Sequence, residues 1–263
     1  MRIEVLGHLE VTHSGEVVRL AGQRQRALLA ALVLSIGQIV SVSRLVDVLW
    51  GADPPRTART KLYAHVWALR QELDRVAPGC SALLATSSPG YRLASHGVSV
   101  DLAEFKELTA RGREALKRRD AQAAAELYRG ALELWRGQPF ADVSSEAIAA
   151  AAEALGERYL QALEASAEAD LALGRCDRVA ADLGELLISH PHRERMRALC
   201  MLALYRLGCR ANALSLYHAG REATMAELGL EPGPNLRRLQ QQILLDEPAL
   251  MTPTSSLAQP TRA

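Results

Sequence analysis

Asp53–Val76, DPPRTARTKLYAHVWALRQELDRV, is the stretch from which the architecture can be worked out. Asp53-Pro54-Pro55 predicts a helix entrance, because proline suits a first helical turn and an acid suits the dipole there. Leu62, Val66, Leu69 and Leu73 then recur at four, three and four residues, one apolar stripe of a 3.6-residue period. The other face carries Arg59, Thr60, Lys61, Tyr63, Ala64, Trp67 and Ala68, with Arg56 at the start and Arg70 at the edge. No acid interrupts that face before Glu72. A helix held on one side, and cationic and aromatic on the other, is what a major groove accepts. An amphipathic helix with a merely solvated face is the commoner alternative; Tyr63 and Trp67 on that face argue against it.

The segments around this helix give it context. Arg2–Leu6, Leu9–Thr12 and Glu16–Leu20 read as strands of a small antiparallel sheet, separated by Gly7-His8 and His13-Ser14-Gly15. Gln23–Ile36 reads as a helix stopped by Gly37. A short helix capped by Ser41 or Ser43 runs to Trp50 and stops at Gly51. Beyond Pro78-Gly79, the runs 83–86 and 91–93 flank Ser87-Ser88-Pro89-Gly90, a hairpin with Gly90 where a positive φ is expected. Three helices followed by a hairpin make a winged helix-turn-helix. Its third helix enters the major groove, and its wing reaches phosphates or the minor groove.

After the joint at His96–Ser99, Asp101 caps a new helix and the chain turns almost wholly helical. Gly174, Val179 and Leu183 recur 34 residues later as Gly208, Ala213 and Tyr217, the tetratricopeptide period. Arg119, Ala124 and Tyr128 form an earlier copy, displaced by 55 residues. The Gly137-Gln138-Pro139 loop and a long helix from about Ser144 to Leu173 take up the excess. Pro191 closes one repeat. Met196, Leu199, Cys200, Ala203, Leu204 and Leu207 mark an amphipathic helix, and Asn235–Leu245 caps the array. Pro, Ser and Thr dominate 247–263, a tail expected to be disordered. The fold class is mainly α with small β-sheets: a winged domain at 1–96, a tetratricopeptide-like all-α domain at 97–246, then the tail.

Composition fits this division. The 263 residues are 49% hydrophobic and only 4% aromatic, so the cores are built from Leu, Val and Ala. The net charge of +1 is unevenly shared. Residues 1–96 hold eleven Arg or Lys against seven Asp or Glu, and the remainder 20 against 23. A basic front and an acidic back point to nucleic acid at one end and protein at the other. Cys80, Cys176, Cys200 and Cys209 form no zinc spacing, as expected of a reduced cytoplasmic protein. The stretch MRIEVLGHLEV alternates polar and apolar residues without the apolar core expected of a signal peptide, and no apolar run reaches membrane-span length.

Motifs for catalysis are missing: no GxxxxGK[ST], HExxH or GxSxG, so neither an enzyme nor a cofactor is expected. His190 and His192 flank Pro191, where a polar loop outweighs a metal site. His65 serves either a phosphate contact or helix packing. Trp50, ending a helix before Gly51, is read as a core residue, and Trp135, before a loop, as a packing residue.

GQRQRALLAALVLSIGQIVSVSRLVDVLWGADPPRTARTKLYAHVWALRQEL and the later PGYRL closely resemble the OmpR-type DNA-binding domain of Streptomyces antibiotic regulatory proteins. DLAEF, ALELWRGQPFADV, ADLALGR, HPHRERMRALCMLALYRLGCRANALSLY and ELGLEPGPNLRRLQQQIL resemble their bacterial transcriptional activation domain. The resemblance covers residues 2–250. It implies an activator of a secondary-metabolite gene cluster, in the short two-domain form. Such a protein binds direct repeats in double-stranded DNA as side-by-side protomers and recruits RNA polymerase, sigma factor included. It implies a groove-facing set of Arg59, Thr60, Lys61, Tyr63, Ala64, Trp67 and Ala68. Arg24 and Arg26 would meet the backbone, and Ser87, Ser88 and Arg92 belong to the wing. Family members often carry a small polar residue and Arg where this chain has Trp67-Ala68, and a basic residue near Ser87-Ser88. Trp67 either meets a thymine methyl or packs inward. Two other readings share parts of this pattern: a tetratricopeptide adaptor whose front domain contacts protein, and a repressor of the same fold.

Overall fold

The computed structural model describes residues 1–18, 20, 22–76 and 78–252, apart from the side chains of Val18 and Val76. The described residues divide into two compact units, Met1–Leu108 with Gly130–Leu160, and Thr109–Arg129 with those from Gln161 onward. Compactness thus draws its line through helices, whereas the sequence pattern changes near residue 96. Among the described residues, no helix is long and apolar enough to cross a membrane.

In the first unit, β1 (Arg2–Glu4), β2 (Glu10–His13) and β3 (Glu16–Val18) form an antiparallel ladder. Ile3 faces Val11 across it, and both are buried. Helix α1 (Gln23–Leu34) follows, two residues shorter than the pattern predicts. Next come β4 (Ile39–Ser41), α2 (Val42–Trp50) and α3 (Ala58–Val76). Ser41 is the cap of α2, its hydroxyl accepting from Arg44 N at 3.2 Å. Strands β5 (Leu84–Ser87) and β6 (Gly90–Leu93) make the hairpin, and β4 pairs with β6 to complete a three-stranded sheet.

Strand β7 (Ser99–Val100) lies parallel to β1, so the presumed joint is part of the front sheet. Asp101 begins helix α4 (Asp101–Lys117), as expected of a capping residue, but it does more. Its buried carboxylate accepts from Leu102 N and also from Val5 N and Leu6 N, at 2.7 to 2.9 Å. Burial holds this carboxyl above its usual range, opposed by those three N–H groups and by Arg136 at 3.7 Å.

Helices α5 (Ala121–Glu133) and α6 (Glu146–Ala172) are joined by a segment that the first unit claims. Arg136 N donates to Leu6 O, Phe140 N to Val5 O and Ala141 N to Gly7 O. Asp142 accepts from Leu9 N at 2.7 Å, Ser145 Oγ donates to Val48 O, and Ser144 N donates to Gln23 Oε1. This strap therefore grips the front sheet, the start of α1 and the end of α2. Trp135 packs beside it between Phe105 and Tyr159, a packing role as expected.

The helices from Asp101 onward repeat as their sequence does. Helix pairs α4–α5, α6–α7 (Cys176–Ser189) and α8–α9 (Glu194–Arg206, Arg210–Leu228) turn at Arg119, Gly174 and Gly208, with φ of 59°, 75° and 78°. A left-handed turn suits glycine, and the first copy forces Arg119 into it. Ala124, Val179 and Ala213, like Tyr128, Leu183 and Tyr217, are buried. The Tyr128 ring lies on Gly112, where a Cβ would stand 2.9 Å from it. Helix α10 (Pro234–Leu244) follows. Residues Pro248–Met251 form a 3-10 turn, and the carbonyls of Leu250 and of Thr252 just beyond it accept from Arg206 at 2.7 Å. The described part of the expected tail is therefore folded, and 253–263 lie outside the described residues.

Candidate nucleic-acid interface

Helix α3 starts five residues after Asp53, which corrects the expected entrance. Ala58 N bonds to Pro55 O and Lys61 N to Thr57 O, so the prolines precede the helix instead of filling its first turn. Leu62, Val66, Leu69 and Leu73 are fully buried, with Ala58 buried ahead of them. This stripe fixes the rotation of the helix about its axis. Arg59, Thr60, Lys61, Tyr63, Ala64 and Trp67 are consequently exposed, as is Arg56 in the preceding loop. Trp67 is 65% accessible and Tyr63 52%. Ala68 is half-buried. The first acid, Glu72, is paired with Arg75 at 2.9 Å.

Other residues placed on this surface by sequence are tied to protein. Arg70 donates through Nε and Nη2 to Leu84 O at 3.0 and 2.6 Å and through Nη2 to Thr86 Oγ1 at 2.9 Å. Its guanidinium also lies 5.9 Å from the Tyr91 ring. It therefore couples α3 to the hairpin. Arg26 donates to Leu20 O and pairs with Asp142 at 3.5 Å. Arg24 stays exposed, with its guanidinium 5.5 Å from the Trp50 ring. His65 tilts against the same indole at 6.1 Å. Burial, and then the charges of Arg24 and Lys61, lower the His65 pKa from its ordinary 6.5. Trp50, read from sequence as a core residue, is half-buried and gathers two candidate contact residues around it. Its isolated place before Gly51 carried no signal of this.

In the hairpin, Ser88 and Arg92 are exposed and Ser87 is half-buried. Gly90 is not at positive φ, contrary to expectation. A Cβ there would press into the Val40 carbonyl and stand 2.8 Å from Ser41 Cα. Glycine is required by the close approach of β4, a strand that a three-residue IVS run did not reveal. Among the described residues, no group of three metal-ligating side chains occurs, and His192 instead meets Glu227 at 2.7 Å.

A third helix clamped on two others, with a β-hairpin beside it, defines the winged helix-turn-helix class of DNA-binding regulators. Residues 15–93 match the C-terminal domain of transcriptional regulatory proteins, and residues 100–244 match the bacterial transcriptional activator domain. The chain is 34% identical over 257 residues to the regulatory protein DnrI of Streptomyces peucetius, covering 95% of this chain and 94% of that protein. It is 37% identical over 266 residues to the regulatory protein AfsR of Streptomyces coelicolor, of which it spans 26%. The structure of Mycobacterium tuberculosis EmbR in complex with a low-affinity phosphopeptide is similar, with a TM-score of 0.89 and 32% identity. That match covers 95% of this chain and 68% of EmbR. The chain belongs to the Streptomyces antibiotic regulatory protein family, whose members are DNA-binding transcription activators.

Proposed function

We propose that this protein activates transcription of a secondary-metabolite gene cluster by laying α3 into the major groove of short direct repeats upstream of a promoter. Arg24, Arg56, Arg59 and Lys61 meet phosphates, and the face from Lys61 to Ala68 selects sequence, each good base contact contributing ~1–3 kcal/mol. Arg26 and Arg70 act by holding the reading helix and wing in place. Two protomers sit side by side, about one helical turn apart (~10–10.5 bp or a multiple), so that both occupy one DNA face. The helical repeats meet RNA polymerase, sigma factor included.

One observation carries this reading. The leucine stripe of α3 is wholly buried, and the opposite face is wet, cationic and without acid before Glu72. A footprint across the upstream regions of the neighbouring gene cluster tests it. Protected direct repeats, with log affinity falling as log salt rises, are expected. No protection at low salt anywhere in the cluster would remove the proposal.

A further inference from the structure

Trp50 has Arg24 and His65 against its ring, and Trp135 has Phe105 and Tyr159. Trp67 is the exception: among the described residues no ring or guanidinium is stacked on it, and it is 65% exposed. Helix rotation cannot hide it, because Val66 and Leu69 on either side are buried in the opposite sense. Thr60, Ala64 and Trp67 lie at spacings of four, three and seven residues, hence on one helix face, and all three are exposed. Ala64, one turn before it, is too short to shield the indole. A bare indole is therefore presented at the middle of the helix that meets DNA.

Indole carries a single N–H donor and no acceptor; the rest of its surface is apolar. Base edges in the major groove are donors and acceptors, with one exception, the 5-methyl group of thymine. We propose that Trp67 is a specificity-determining residue that recognises the 5-methyl group of a pyrimidine, supplied by a thymine in each half-site. Lys61 and Arg59, about two turns earlier, hold the backbone while the indole covers the methyl group. The inference rests on the DNA-binding reading above and adds to it the chemical feature that is read.

The test uses the full chain and operator duplexes in which deoxyuridine replaces thymidine one position at a time, removing only the methyl group. At one thymine per half-site, the wild type should bind about fourfold more weakly, the worth of one buried methyl group. Trp67→Ala and Trp67→Gln, each with an unchanged thermal midpoint, should bind the thymidine and deoxyuridine duplexes equally. A duplex with 5-methylcytosine in place of cytosine should leave wild-type affinity unchanged. Wild-type binding that ignores every deoxyuridine, or a deoxyuridine penalty that persists in both variants, would overturn the role of Trp67 while leaving DNA binding intact. Tighter binding to the 5-methylcytosine duplex without a deoxyuridine penalty would overturn thymine as the source. If no duplex is bound at all, the DNA reading fails first and this inference with it.

Discussion

Helix α3 buries Leu62, Val66, Leu69 and Leu73 and leaves Lys61, Ala64 and Trp67 in water. Helix α8 buries every residue from Met196 to Ala203, Arg197 included. The two helices look alike in sequence, each with apolar residues at three- and four-residue spacing. They differ in what surrounds them. Helix α8 packs against α7, α9 and α10, so no side is free, whereas α3 is covered by α1, α2, β3 and the 3-10 turn Cys80–Leu83. Leu207, expected on the inner stripe of α8, lies exposed beyond its end. Each helix also directs an arginine at backbone carbonyls. Arg70 bonds Leu84 O, and Arg197 bonds Leu216 O at 2.8 Å and Pro191 O at 2.7 Å. Gly220 makes room for Arg197, since a Cβ there would collide with the guanidinium. The same residue type thus fastens a wing in one unit and a repeat seam in the other.

Closed packing around α8 and an open face on α3 imply different mutational costs. Leu199→Ala in α8 should cost about 3 kcal/mol in urea unfolding, because it opens a cavity where packing is closed all round. Trp67→Ala in α3 should cost less than about 0.5 kcal/mol, as an exposed site does; equal costs would mean that the α3 face is not free. Asp142→Ala should remove about 2 kcal/mol, because Leu9 N–H loses its acceptor and Arg26 its partner. The same variant should weaken DNA binding, with a mobility shift reporting whether the strap steadies α1. Lys61→Ala should leave the urea midpoint alone and lower the slope of log affinity against log salt by about one phosphate contact. An unchanged slope would take Lys61 off the interface.

The smallest effect concerns pH. The folded pKa of His65 lies below 6.5, so the unfolded chain takes up that proton first. The associated stability is complete above pH 6.5 and is lost as pH falls from there through the lower folded value. His65→Gln should flatten that part of the urea midpoint against pH; a slope identical to wild type would place the effect elsewhere. Cys200 offers a contrast from α8. Burial pushes its thiol up to about 11, so it stays neutral across the same range.

Most helices were legible because apolar periodicity and stop signals act within a few residues. Gly37, Gly51, Gly174 and Gly208 all adopt the positive φ for which a terminating glycine is chosen. The 34-residue recurrence was legible for a similar reason, since each copy solves one packing problem with the same small and large residues. What escaped was non-local. Strand β7 is two residues long and exists because β1 lies beside it. The strap at 136–145 reads as an ordinary loop until its N–H groups are matched to Val5, Leu6 and Gly7. Of the candidate contact residues, Arg26 and Arg70 could not be told from Lys61 by type or spacing, because Arg26 is tied to Leu20 O and the distant Asp142, and Arg70 to the Leu84 carbonyl of the hairpin.

Local chemistry, then, was enough to specify the order of elements, the anchored face of α3 and the repeat, because dihedral preference and apolar spacing are properties of neighbouring residues. Which cations stay free for a partner, why Gly90 must be glycine, and how α8 comes to be buried on every side emerged only once distant segments met. Hydrogen-bond acceptors and packing surfaces supplied from far along the chain are invisible until the fold brings them within a few ångströms.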